Sequence, residues 1–144
     1  MADKHDVIQT VLTLSSELSS SLLLHVEDVA TFVSDDDLAK SVSVEDMAEE
    51  EKQCIANLAQ LLDTLDATPG PPRVQARVAA MPYTEIHVLI PRLVADKQRL
   101  IDICQQAAQR VGDWPAAVER IASVTQRHQQ HLANLQEMAK AHTS

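Results

Sequence analysis

Apolar residues recur every three or four positions along most of this chain, the spacing that places them on one face of an α-helix. Four long stretches follow this pattern and predict helices over about residues 6–33, 35–66, 84–111 and 115–141. Only two glycines occur among the 144 residues, which also favours long helices. The sequence therefore predicts one all-α domain, residues 1–144, built as a four-helix bundle.

The connections between these helices differ in length. A short turn ending at Pro115 makes the third and fourth helices antiparallel neighbours, and Ser34 is expected to cap the second helix soon after the first ends. Residues 67–83 contain four of the six prolines. A segment of this length, extended at about 3.3 Å per residue, can run the length of a bundle. We expect a long crossover there, which joins two antiparallel hairpins and makes the third helix parallel to the second.

Ionisable side chains lie on or beside the apolar stripe of every predicted helix. In the second helix, Glu51 and Cys54 lie one turn apart among five apolar stripe positions. A buried carboxylate needs a partner or a metal ion, because leaving water is costly for a charge. The candidate metal ligands on or beside these stripes are Glu17, Glu51, Asp96, His128 and His131.

Several of these candidates are predicted to lie at one height in the bundle. Glu17 is about sixteen residues before the first turn and Glu51 about sixteen after it, and equal distances from a turn give equal heights at about 1.5 Å per residue. Asp96 is about fifteen residues before the second turn and His131 about sixteen after it. Carboxylates and imidazoles together suit iron, manganese or zinc. The pattern therefore predicts a metal site near the middle of the bundle.

This arrangement resembles the ferritin-like superfamily, particularly the bacterioferritin and rubrerythrin type of di-iron bundle. In that family, two helices each supply a Glu ligand and two others each supply Glu-x-x-His. The resemblance places Glu17, in the segment SSEL, together with Glu51 and His131 on ligand positions of the expected residue type. The other three ligand positions differ in residue type: Cys54 replaces His, Asp96 replaces Glu, and His128 replaces Glu.

The resemblance implies iron binding, with oxidation of Fe(II) or reduction of oxygen or peroxide as the expected activity. The replacements leave three outcomes open. The first is an altered site for one or two ions of iron or manganese. The second is a non-redox zinc site that uses Cys54 and the histidines. The third is a metal-free bundle that acts as an interaction protein, in which the polar residues pair internally.

Charge and composition limit the partners and the cellular location that we expect. The formal charge of -9 argues against nucleic acid or an anionic membrane as a partner. No apolar run approaches the roughly 20 residues of a membrane span, and the first ten residues are not a secretory signal. Two cysteines on separate helices do not make a disulfide framework, so a cytoplasmic setting is expected. A homo-oligomer, in the form of a dimer, is predicted from leucines expected on outer helix faces: Leu23, Leu24, Leu38 and Leu62.

Overall fold

The computed structural model describes residues 3–25, 30–31, 35–68 and 84–143, and this part of the chain forms an all-α bundle, as predicted. Its long helices are α1 (Lys4–Ser19), α2 (Asp35–Thr64), α3 (Ile86–Arg110) and α4 (Pro115–Thr143). A 3₁₀ turn (Leu23–His25) follows α1. Two short strands, β1 (Ala30–Thr31) and β2 (Thr84–Glu85), pair in parallel, with Ala30 opposite Thr84.

The first helix is shorter than its apolar pattern predicts. It begins with a capping box between Asp3 and Asp6, and it ends at Ser19 instead of continuing to residue 33. The hydroxyl groups of Ser19 and Ser20 donate to carbonyl oxygens three residues earlier. Such side-chain hydrogen bonds compete with helical backbone bonds. A run of serines thus ends α1 although the apolar periodicity continues beyond it.

The ends of the other helices agree with the expected boundaries. Pro91 lies inside α3, where it has no N–H to donate to the carbonyl oxygen four residues earlier. A turn at residues 111–114 follows α3, and α4 begins at Pro115. Proline suits the first position of a helix, because the N–H that it lacks would have no helical partner there.

Two apolar clusters show the directions of the helices. Cluster 1 joins α1 and the start of α4 to the ends of α2 and α3, and cluster 2 joins the opposite ends of α2, α3 and α4. Helices α2 and α3 therefore run in the same direction, opposite to α1 and α4. Representative members of cluster 1 are Val11, Leu61, Cys104 and Ile121, and those of cluster 2 are Leu22, Met47, Leu89 and Leu135.

The packing places α2 and α3 on a diagonal of the bundle. Helix α3 packs most extensively on α4, α2 packs on α1 and α4, and α1 packs on α3. Leu65 belongs to cluster 1 and Ile86 to cluster 2, so the chain between them connects opposite ends of the bundle. Most of the expected crossover, residues 69–83, lies outside the described residues.

One layer of buried polar side chains separates the two clusters. Each member lies between a cluster 1 residue and a cluster 2 residue of its own segment; Glu51, for example, lies between Cys54 and Ala48. The residues of this polar layer are Ser21, Glu51, Asp96, Lys97, His128 and His131.

In the described part of the chain, no helix is long and apolar enough to cross a membrane.

Candidate functional site

The centre of the polar layer is the side chain of Lys97. Its Nζ donates to Glu51 Oε2 at 2.6 Å and to His128 Nδ1 at 2.9 Å. It also lies 3.4 Å from Nδ1 of His131. These four residues, Glu51, Lys97, His128 and His131, form the Glu51 group, and each is 1% exposed. The ammonium group is therefore enclosed by one carboxylate and two imidazoles in the interior of the bundle.

The three groups around Lys97 could also hold a metal ion. One ligand atom from each of Glu51, His128 and His131 lies within 4.8 Å of the other two. The two histidines are three residues apart on α4 and so share a face, while Glu51 comes from the neighbouring helix α2. One carboxylate and two imidazoles form a ligand set that suits zinc and other transition metals.

Burial keeps both imidazoles neutral at pH 7. Loss of hydration, followed by repulsion from Lys97, lowers the pKa of His128 to about 2. The same two causes lower the pKa of His131 to about 4, although Glu50 acts in the opposite direction. A neutral imidazole has one nitrogen without a proton. Each Nδ1 can therefore accept a hydrogen bond from Lys97.

The carboxylate of Glu51 has a donor on each oxygen. Ser21 Oγ donates to Oε1 at 2.7 Å, and Lys97 donates to Oε2. Burial raises the pKa of Glu51, whereas the Lys97 and Ser21 contacts work to lower the pKa. Ser21 follows the end of α1, so the premature end of this helix places a hydroxyl group on the buried carboxylate.

The outer nitrogens of the two imidazoles have different surroundings. His131 Nε2 lies 3.3 Å from Oε2 of the half-buried Glu50, and Arg127 donates to that same oxygen at 2.6 Å. His128 Nε2 is buried without a hydrogen-bond partner among the described residues. Since Nδ1 of each ring faces the Lys97 ammonium, we assign the ring proton to Nε2 in both histidines.

Two of the predicted ligands, Glu17 and Asp96, contact Arg99 instead of the Glu51 group. Arg99 Nη1 donates to Glu17 Oε2 at 3.0 Å, and its Nε and Nη2 donate to Asp96 Oδ1 at 3.1 and 2.9 Å. The second oxygen of Asp96 accepts the backbone N–H of Leu22 at 2.9 Å, just beyond the end of α1. Glu17 and Arg99 also line a pocket of about 350 Å³, whose lining includes no member of the Glu51 group.

The remaining predicted ligand, Cys54, lies in cluster 1, one turn from Glu51 and outside the group of potential metal ligands. Burial raises the pKa of the Cys54 thiol to about 11, and the nearby Glu51 carboxylate adds to this effect. Burial likewise raises the pKa of Cys104 to about 11. Both thiols therefore stay protonated at pH 7 and pack as small apolar groups.

Sequence reasoning missed Lys97, although a signal for it exists. Lys97 is four residues after Leu93 and three before Leu100, and Cys104 continues the same spacing. These neighbours are all buried, so Lys97 occupies a core position of α3. The adjacent Asp96 was chosen as a candidate ligand instead, because carboxylates bind metal ions and lysine is normally found on the surface.

Comparisons with protein-family models, with curated proteins and with solved structures found no match for this chain. The ferritin-like resemblance therefore stays a prediction that rests on the helix pattern and on the positions of the candidate ligands.

Proposed function

We propose that this protein is a ferritin-like bundle that works without a metal ion, as a structural or protein-interaction module and not as an oxidoreductase. The observation that carries this proposal is the position of Lys97 Nζ, 2.6 Å from Glu51 and 2.9 Å from His128. A built-in ammonium at this point supplies the positive charge that metal ions supply in the di-iron proteins.

The charges of the Glu51 group balance without a metal ion. The carboxylate of Glu51 is paired with the ammonium of Lys97, and both imidazoles are neutral at pH 7. A divalent ion added to this group would leave two excess positive charges in the core. Burying unbalanced charge is costly, so an ion would have to displace the ammonium of Lys97.

A di-iron centre does not fit these residues. The family's centre uses six ligands, four of them carboxylates from four helices. In this chain Glu17 and Asp96 are hydrogen-bonded to Arg99, and Cys54 lies outside the group. His128 has no carboxylate with which to bridge two irons. Glu51 is then the one carboxylate among the three potential ligands, which argues against the oxygen chemistry of the di-iron proteins.

Metal content and Fe(II) oxidation test this proposal. The untagged protein should hold well below one equivalent of iron, manganese or zinc, before and after aerobic incubation with Fe(II), as measured by mass spectrometry. It should also oxidise Fe(II) no faster than buffer. Iron near one equivalent that is lost in a Glu51→Ala, His131→Ala double variant would overturn the proposal. Glu49→Ala is the matched control, because this α2 carboxylate is exposed.

The interaction role calls for a measurement of oligomeric state. Two of the leucines expected on outer faces, Leu23 and Leu62, are buried within the single chain, at 2% and 0% exposure. Leu24 is partly buried, and the side chain of Leu38 lies outside the described residues. Homo-dimer formation stays a prediction, which light scattering at several protein concentrations checks. The exposed large apolar side chains in the described part are Val42 and Val88.

A further inference from the structure

The three side chains around Lys97 present lone pairs to one point. Glu51 Oε2 and His128 Nδ1 both accept hydrogen bonds from Nζ, and Nδ1 of His131 lies 3.4 Å from it. A metal ion and an ammonium group both need lone pairs directed at them. The atoms that hold the ammonium are thus suited to hold a transition-metal ion.

The burial of His128 also bears on the cation position. Its side chain is 1% exposed, and its Nε2 has no hydrogen-bond partner among the described residues. Such an unsatisfied polar atom is unusual in a protein core. The one hydrogen bond of this ring in the described part is the contact to Lys97. The cation in front of Nδ1 therefore supplies the one hydrogen bond of this buried ring in the described part.

His131 is oriented in the way that metal-binding histidines are. Its Nδ1 faces the centre of the group, and its Nε2 lies 3.3 Å from the carboxylate of Glu50. Ligand histidines almost always donate their other N–H to a carboxylate, a carbonyl or water, which fixes the tautomer and the ring plane. This support is already present around Lys97.

Lys97 and a metal ion cannot share this position. Zinc–nitrogen and zinc–oxygen bonds are about 2.0–2.2 Å long. Nζ lies 2.6 Å from the Glu51 oxygen that the ion would bind, so it occupies the space that the ion needs. We propose that Lys97 masks a site for a single divalent transition-metal ion, which Glu51, His128 and His131 form once the ammonium is removed. This inference goes beyond the proposed function, because it assigns a latent binding site to the same three residues.

Replacing Lys97 by a neutral residue of similar length tests the inference. Folded Lys97→Met protein should bind one equivalent of Co(II), with the visible absorption bands of a protein-bound ion. Its affinity by calorimetry should exceed that of the unmodified protein by about 100-fold or more, because like charges cannot share a buried site. The double variant Lys97→Met, His131→Ala should lose this binding.

Two further variants keep the test decisive. Lys97→Arg retains a positive charge and should bind no Co(II), and Lys52→Met removes an exposed lysine of α2 and should behave like the unmodified protein. Lys97→Gln takes the place of Lys97→Met if circular dichroism shows that the latter is unfolded. Failure of the folded neutral variants to bind Co(II) would overturn the masking, while the proposed metal-free function would stand. Equal affinity of the unmodified protein and the neutral variant would also overturn it.

Discussion

Lys97 on α3 and Glu51 on α2 form a fully buried ion pair, with Nζ 2.6 Å from Oε2 and both side chains 1% exposed. Removing one partner of such a pair leaves an uncompensated charge in the core and typically costs about 3–5 kcal/mol. We expect Lys97→Met to lower the free energy of unfolding by this amount, measured by urea denaturation in the presence of a chelator.

The double variant Lys97→Met, Glu51→Met should recover much of that loss, because apolar side chains can replace a buried pair at little cost. Lys52→Met is the control, since its pair with Glu49 is exposed and should contribute less than about 1 kcal/mol. A Lys97→Met protein as stable as the unmodified one would show that the pair is not formed.

Acid should destabilise the protein through its two buried histidines. The pKa values of His128 and His131 are about 2 and about 4, below the value of 6.5 for an unperturbed histidine. Their contribution is therefore present above pH 6.5 and is lost as the pH falls, because the unfolded chain binds two more protons than the folded one. The slope from two such groups is at most about 2.7 kcal/mol per pH unit.

Glu51 acts in the opposite sense. Because its pKa is raised in the folded protein, its protonation makes the protein more stable as the pH falls. With two histidines against one carboxylate, urea midpoints should still fall between pH 7 and pH 5. The double variant His128→Asn, His131→Asn should show a flatter profile because Asn does not titrate, while its oxygen can still accept the Lys97 hydrogen bond in place of Nδ1. A midpoint that is constant over this range in the unmodified protein would contradict the neutral assignment.

Asp96 should matter more for stability than Glu17, although both contact Arg99. Asp96 is 5% exposed and also accepts the backbone N–H of Leu22, whereas the side chain of Glu17 is 35% exposed. We expect Asp96→Ala to cost about 2–3 kcal/mol, because a buried N–H loses its acceptor. Glu17→Ala should cost less than about 1 kcal/mol. Urea denaturation of both variants at pH 7 makes the comparison, and equal losses would refute it.

The two histidine rings should carry their protons on Nε2. Nitrogen-15 chemical shifts of His128 and His131 at pH 7 report the tautomer directly. Glu50→Ala should change the His131 signals, because it removes the acceptor 3.3 Å from Nε2, and should leave those of His128 nearly unchanged. A signal from protonated Nδ1 in either ring would contradict the hydrogen bonding around Lys97.

Both cysteines should resist thiol reagents in the folded protein. Cys54 and Cys104 are 7% and 0% exposed, and burial raises the pKa of each thiol to about 11. Thiolate is the reactive form, so a disulfide reagent at pH 8 should react slowly with the native protein and quickly in urea. Rapid reaction of one thiol in the native state would place that cysteine at the surface.

The helical class was predictable because apolar periodicity is a local property of the sequence. The predicted end of the first helix was wrong, because side-chain hydrogen bonds of Ser19 and Ser20 end α1 there. Three of the six candidate ligands, Glu51, His128 and His131, form one group on the antiparallel helices α2 and α4. The height predicted for Glu17 assumed a first helix that runs to residue 33, whereas α1 ends at Ser19. The ion pairs could not be predicted from the sequence. Long side chains such as Arg99 and Lys97 can reach several carboxylates, and the packing of the helices determines which one each contacts.

We expect the polar layer between the two apolar clusters also to fix the lengthwise register of the helices. Leucine packs against leucine in many alignments, so the clusters alone would tolerate a slip of α3 by one turn, about 5.4 Å. Such a slip would bring Leu93 or Ile101 beside Glu51 and leave the buried carboxylate without its ammonium. We therefore expect Lys97 to select one alignment of α3, as single buried polar residues do in coiled coils.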